Sequence, residues 1–356
     1  MTPGFDVCAV LFIMYLMRKS IVTWLCFFVG LAGLTGVAAD EGAPPPVRVG
    51  GLLFGDFYYV PSHHSEAGDG AVGLVVRRGY LTFDARLSEK TFGRMRFELN
   101  QSGEFETYTF EADFKDLYLG WRLGRHRLLA GLSPTLTFNL IESIWGLRHL
   151  ARTPMDLQGV PSRDTGVSIR GPINADGSFS YRAMVGSGIE FGSDSSDSVK
   201  WMGALAWKPT PHWTVDLYAD FEDLRGSGER STLQAFVAYQ TEALRWGLLY
   251  SNHDRQENPP IELASAFMVK KLGESSSLIG RVDRLLEPSP RGDDIDYLPI
   301  DPSARATMFF GGVEFRLRPR FYVIPNTVVT VYDRNDQGYR PKTDIYLHLT
   351  LFVAFK

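Results

Sequence analysis

From Asp344 to Lys356 the chain reads DIYLHLTLFVAFK. Every second side chain is apolar: Ile345, Leu347, Leu349, Leu351, Val353 and Phe355. Between them stand Tyr346, His348, Thr350, Phe352 and Ala354, a mixed and partly polar set. A repeat of two puts the first set on one face of a strand and the second on the other. One wholly apolar face and one mixed face suit a wall between lipid and water.

The same alternation recurs upstream. Trp213, Val215, Leu217, Ala219 and Phe221 share one face, against Thr214, Asp216, Tyr218, Asp220 and Glu222. Phe179, Tyr181, Ala183 and Val185 alternate with Ser180, Arg182 and Met184. From Val47 onward about sixteen such segments are separated by turn signals. The connections alternate between short (88–90, 124, 172–176, 209–212, 241–242, 273–275, 319–320) and long (61–72, 101–111, 134–161, 187–197, 222–229, 253–259, 287–303, 334–341). Short inner turns and longer outer loops belong to outer-membrane barrels. The expected fold is all-β: a transmembrane antiparallel β-barrel of about sixteen strands, with its third outer loop, 134–161, folded inward. An even strand number puts both ends on the periplasmic side. A soluble β-sandwich uses fewer strands and hides one face in a dry core, so so many half-polar strands fit it poorly.

Composition agrees. In 356 residues, 44% are hydrophobic and 13% aromatic, with 35 glycines and a net charge of -4. The aromatic share suits interfacial girdles, and the charge argues against a nucleic-acid binder. Downstream of the N-terminus no apolar run of about twenty residues suggests a membrane helix. The N-terminus itself reads as a signal peptide over 1–39: Arg18 and Lys19 are the basic region, Ile21 to Leu34 the apolar region, Val37-Ala38-Ala39 the cleavage site. Met17 is a second start candidate, which would make 1–16 an upstream extension. Residues 40–46 read as a short leader and 47–356 as the barrel. Cys8 and Cys26 both fall in the removed segment, so no disulfide or cysteine metal ligand is expected in the barrel.

The loop 134–161 is too long and too apolar to stand in solvent. Phe138, Leu140, Ile141, Ile144, Trp145, Leu147 and Leu150 should pack it against the inner wall, leaving its polar groups toward a narrowed channel. Arginines at inward positions are the pore candidates: Arg78, Arg86, Arg94, Arg96, Arg122, Arg127, Arg163, Arg170 and Arg182 on strands, Arg148 and Arg152 on the loop. A wall of guanidinium groups favours anions. Asp84, Glu98, Asp116 and Asp164 are inward acids placed to pair with some of them.

The run Leu129-Ala130-Gly131-Leu132-Ser133-Pro134, the long loop, then Arg163-Asp164-Thr165-Gly166-Val167 resembles the phosphate-selective porin O and P family. So does the opening strand Gly50-Gly51-Leu52-Leu53-Phe54-Gly55-Asp56. The resemblance implies a sixteen-stranded homotrimeric porin of a Gram-negative outer membrane with an inward third loop. It also implies selection of phosphate by an arginine ladder and a lysine-rich constriction. Arg163, Asp164, Thr165 and Gly166 match the motif, but the loop 134–161 holds no lysine. Expected partners are small anionic solutes, outer-membrane lipid and lipopolysaccharide, and the barrel-assembly machinery, whose terminal signal is here Phe355 followed by Lys356.

Other constellations read as bland. His63-His64 with Glu66 and Asp69 sits among glycines and reads as a solvated loop rather than a metal site. Asp293-Asp294-Ile295-Asp296 lacks the spacing of a calcium loop. Ser251 to Asp254 holds the residue types of a hydrolase triad, but neighbours cannot aim at one another and no nucleophile elbow appears. Neither an enzyme nor a cofactor is expected. Tyr58, Tyr80, Tyr118 and Tyr218 fall inward and keep a sugar-preferring or general diffusion porin as the alternative, with an adhesin or barrel enzyme behind it.

Overall fold

A computed structural model describes residues 47–101, 110–188, 198–224, 228–255 and 258–355. The signal peptide, the leader and Lys356 lie outside the described residues. Within them, sixteen strands run in sequence order. They are β1 (Val47–Ser62), β2 (Val72–Arg86), β3 (Thr91–Gln101), β4 (Phe110–Leu123), β5 (His126–Pro134), β6 (Arg163–Pro172), β7 (Phe179–Gly186) and β8 (Val199–Trp207). The second half continues with β9 (Trp213–Leu224), β10 (Gly228–Gln240), β11 (Leu244–Arg255), β12 (Asn258–Lys271), β13 (Ser276–Leu285), β14 (Ala306–Arg318), β15 (Phe321–Tyr332) and β16 (Asp344–Phe355). Each pairs with its sequence neighbour, and β1 pairs antiparallel with β16, so the sheet closes into a barrel. Closure removes every open edge, which a lipid-embedded sheet requires.

The alternation read from sequence carries through. On β8, Lys200, Met202, Ala204 and Ala206 are buried toward the lumen while Trp201, Leu205 and Trp207 stand exposed outside. On β16, Tyr346, His348 and Thr350 turn inward while Leu347 and Leu349 face out. At the short-turn end, Trp207 stacks on Phe179 at 5.9 Å, and Trp213, Tyr239 and Trp246 contact one another at 5.2 to 6.3 Å. These outward rings form part of an aromatic girdle. An outer groove of about 660 Å³, floored by Ala183, Gly203, Ala219 and Ala235, faces lipid rather than the channel. The barrel with its apolar outer band is an outer-membrane architecture, and the chain resides in the bacterial outer membrane.

Two connections differ from expectation. Residues 222–229 and 253–259 were expected as long outer loops. Instead strand pairing extends as far as Leu224 with Gly228 and Arg255 with Asn258. Strand pairing continues through polar residues there because polar side chains above the lipid band cost nothing.

Two long connections turn into the barrel. The loop after β5 holds α1 (Asn139–Trp145) and a one-turn α2 (Pro154–Leu157). Gly146 ends α1 in the left-handed region (φ 69°), donating its N–H to Glu142 O. Phe138, Ile141, Ile144, Trp145, Leu147 and Leu150 are all buried. They share one apolar cluster with Phe236, Leu249, Leu263, Phe267 and Ile279 of β10–β13. Trp145 meets Phe267 edge-on at 5.1 Å, and a void of about 10 Å³ lies beside them between loop and wall. The connection 286–305 joins the same cluster through Ile295, Leu298 and Ile300.

Candidate functional site

The lumen wall has two unlike halves. From β10 to β16 the inward residues are largely apolar and lie under the two inserted loops. From β2 to β9 charged groups are frequent among them, including Arg78, Glu98, Asp116, Lys200, Asp216 and Asp220. The loop after β5 is held between them by backbone carbonyls that wall side chains grip. Arg77 donates to Leu150 O at 2.9 Å and His149 O at 2.6 Å. Arg281 donates to Arg152 O at 2.5 Å, Arg245 to Trp145 O at 3.2 Å and Gln234 to Thr137 O at 2.8 Å. Arg77 is also ion-paired with fully buried Asp56 at 2.5 Å, and Arg281 with Asp283 at 2.5 Å. Charge-assisted donors satisfy carbonyls that an irregular segment would otherwise bury unpaired.

Sequence reasoning missed Arg77, Arg245 and Arg281. For Arg77 the reason is specific. The β1–β2 register shifts between Phe54 and Asp56, so both Arg77 and Arg78 are buried and inward parity alone selects only one of them. A β-bulge re-aims a side chain in this way.

The expected arginines divide by partner. Arg78 pairs with Glu98 at 3.2 Å and Asp296 at 3.4 Å. Arg94 grips Asp84 with Nε and Nη2 at 2.6 and 3.0 Å. Asp116 takes both Arg96 at 3.3 Å and Arg163 at 2.6 Å. Arg152 pairs with Asp296 and Arg182 with Asp216. Arg148 pairs with Glu142 at 2.8 Å and Asp156 at 2.5 Å, so the loop neutralises much of its own charge. Burial opposes the Asp156 carboxylate, but the positive charges of Arg148 and Arg152 outweigh it and lower its carboxyl from 3.8 to about 2. Two lysines that sequence reasoning passed over, Lys115 and Lys200, pair with Glu98 at 3.3 Å and Asp220 at 3.2 Å.

Arg86, Arg122, Arg127 and Arg170 have no carboxylate partner among the described residues. Three of them lie in one row. Arg122 of β4 is opposite Arg127 of β5, Arg127 opposite Arg170 of β6, and Arg170 opposite Arg182 of β7. Residues directly opposite share a face, and this face is the one that buries Asp116, Ser168 and Met184 in the lumen. Four arginines on four successive strands thus meet side by side below the loop. Like charges opposed in this way destabilise a sheet. Only Arg182 is balanced by a carboxylate; Arg122 donates to Glu89 O and its guanidinium lies 5.0 Å from the Phe92 ring.

Asp164 was expected to pair with an arginine and does not. It accepts from Ser187 N, Ser187 Oγ and Gly188 N, each at 3.0 Å. A Cβ on Gly186 would stand 2.2 Å from its carboxylate, and a Cβ on Gly166 would stand 2.1 Å from Val185 O. The Arg163-Asp164-Thr165-Gly166 element therefore locks β6 to β7 and the turn beyond, a structural task in which only Arg163 reaches the charged wall.

The remaining candidates disperse. Tyr58 and Tyr218 sit in separate apolar clusters, and Arg96 lies over Tyr80 at 5.4 Å, so the four tyrosines form no continuous track. Ser251 donates to Leu233 O at 3.5 Å while His253 Nδ1 meets Thr232 Oγ1 at 2.9 Å, so no Ser–His pair forms. His63 and His64 are not in a solvated loop: both rings are nearly covered and packed against β15 and β16.

No family model matches the chain, and no curated protein matches it. Solved structures do. An anion-selective porin from Comamonas acidovorans superposes with a TM-score of 0.61 at 16% identity, covering 87% of this chain and 99% of that one. This is the porin fold. The outer-membrane channel DcaP of Acinetobacter baumannii gives 0.61 at 10% identity, covering 90% and 100%. OmpT of Vibrio cholerae, in a trimer form, gives 0.57 at 12% identity, covering 87% and 99%. At these identities the porin fold is what is shared.

Proposed function

We propose that the chain is a passive diffusion channel of the outer membrane that prefers small anions. The observation that carries the preference is the row Arg122, Arg127, Arg170 and Arg182, unneutralised except at its end. Its mutual repulsion is relieved when an anion lies against it. Guanidinium forks suit carboxylate and phosphate oxygens, so phosphate is among the anions the row would accept. The loop 134–161 sets the width above the row. Solutes move down their own gradients and no energy source enters. The Comamonas structure is an anion-selective porin by its own description, which supports the same reading. A homotrimer, as OmpT forms, is the assembly we propose.

Planar bilayers test this. The purified barrel in a potassium chloride gradient should give stable conductance steps and a reversal potential of anion-preferring sign. A cation-preferring reversal potential overturns the preference, and absence of conductance overturns the channel.

A further inference from the structure

We propose that His63, His64 and Asp344 form a binding site for a divalent transition-metal cation that staples the first strand of the barrel to the last at its outer rim.

The two histidines directly follow β1 and Asp344 opens β16, so the three residues meet where the sheet closes on itself. Their donor atoms all lie within 4.8 Å of one another. The rings are 4.1 Å apart. Asp344 is fully buried. It accepts from His64 N at 2.6 Å and from the Tyr332 hydroxyl, and among the described residues no lysine or arginine pairs with it. A buried carboxylate with no lysine or arginine beside it must be balanced by His64 or by a bound cation.

His64 shows what kind of cation is wanted. Its Nδ1 is 3.0 Å from both oxygens of Asp344, and its Nε2 is 3.3 Å from Asp293 Oδ1. A neutral imidazole has one N–H, so both carboxylates are satisfied either by a protonated His64 or by a neutral one with a bound cation between Nδ1 and Asp344. With the proton on Nε2, directed at Asp293, the Nδ1 lone pair faces the same space as the Asp344 oxygens. That is the arrangement of a metal-ligating histidine whose far nitrogen is held by a carboxylate. His63 Nδ1 lies 3.1 Å from Ser65 O and 3.0 Å from Ser65 N, and Nε2 is 3.0 Å from the hydroxyl of Tyr346, which donates to Pro299 O at 3.1 Å; with the proton on Nδ1 toward Ser65 O, Nε2 is the nitrogen left to ligate. The Tyr332 hydroxyl orients the Asp344 carboxylate. Two imidazoles and one carboxylate suit zinc, nickel or copper and not the hard cations calcium and magnesium. Through Asp293, on the 286–305 connection, the same ion would pin that loop against the rim. None of this depends on which solute the channel passes.

Zinc titration calorimetry on the chelator-stripped, refolded barrel in detergent tests it. One saturable site per chain is expected, unaffected by equimolar calcium. His64→Gln should abolish it. Asp293→Asn removes no ligand atom and is exposed enough to leave folding intact; it should weaken zinc by about 10- to 100-fold. Zinc should also raise the temperature at which the folded band is lost in detergent gels, in the wild type and not in His64→Gln. Wild-type uptake no greater than that of His64→Gln, or displacement by calcium, overturns the site. Asp293→Asn binding zinc as tightly as wild type overturns the assigned nitrogen roles.

Discussion

The two halves of the lumen wall obey different physics. The β10–β16 half is largely apolar toward the inserted loops and apolar toward lipid, with Arg245 and Arg281 reaching loop carbonyls. The β2–β9 half keeps charge toward the lumen. An apolar inner wall facing water would cost roughly 25 cal/mol per Å², so the loop after β5 must cover it. Covering one half leaves the other as the water-lined path. On the proposed function, the barrel uses hydrophobic burial to place its loop and electrostatics to choose its solute, and the two tasks fall on different strands.

The sharpest way to break that division is at Arg77, where the charged half grips the loop. Arg77→Ala leaves Asp56 buried and unpaired and releases two carbonyls; a loss of about 3–5 kcal/mol is expected. It should appear as a lower urea midpoint and a larger, noisier single-channel conductance. Next is the apolar anchor. Trp145→Ala should cost about 3 kcal/mol, at the low end for a buried tryptophan because the short loop can resettle. It should raise conductance while leaving ion preference unaltered, since no charge is lost. Arg127→Glu with Arg170→Glu should do the reverse. Stability changes by no more than about 1 kcal/mol, because repelling pairs are removed, but the anion preference should fall or invert in reversal-potential measurements. Unaltered selectivity would separate the row from the solute path. The smallest effect is on pH. The Asp156 carboxyl is depressed from 3.8 to about 2, so its contribution is present above 3.8 and lost as pH falls through about 2. Channel noise should match at pH 7 and pH 4 and rise only below about pH 3. Noise rising already at pH 5 would place the loop's restraint on another group.

Much of the barrel was legible because a strand's two faces are written locally. Trp213–Leu224 and Asp344–Phe355 needed nothing but their own alternation. The inward loop was legible too, since Phe138 to Leu150 carries more apolar surface than solvent tolerates. Its destination was not: the wall it covers, Phe236, Leu263 and Phe267, lies about a hundred residues downstream, and nothing near the loop names it. Likewise the arginine positions could be read while their balance could not. Arg96 and Arg163 share Asp116, yet Arg127 and Arg170 share nothing, and only strand pairing tells these apart. Asp164 looked like an arginine's partner and turned out to tie a turn.

The sequence by itself therefore determined the closed barrel, the side of each strand that meets lipid, and the existence of a loop that must be buried, because a two-residue repeat and an apolar excess are properties of short segments. Only the tertiary structure decided which arginines are spent on carboxylates, which hold the loop, and that His63 and His64 meet Asp344 some 280 residues away. Those outcomes rest on register, on one bulge and on closure of β1 against β16, where neighbours in space are strangers in the chain.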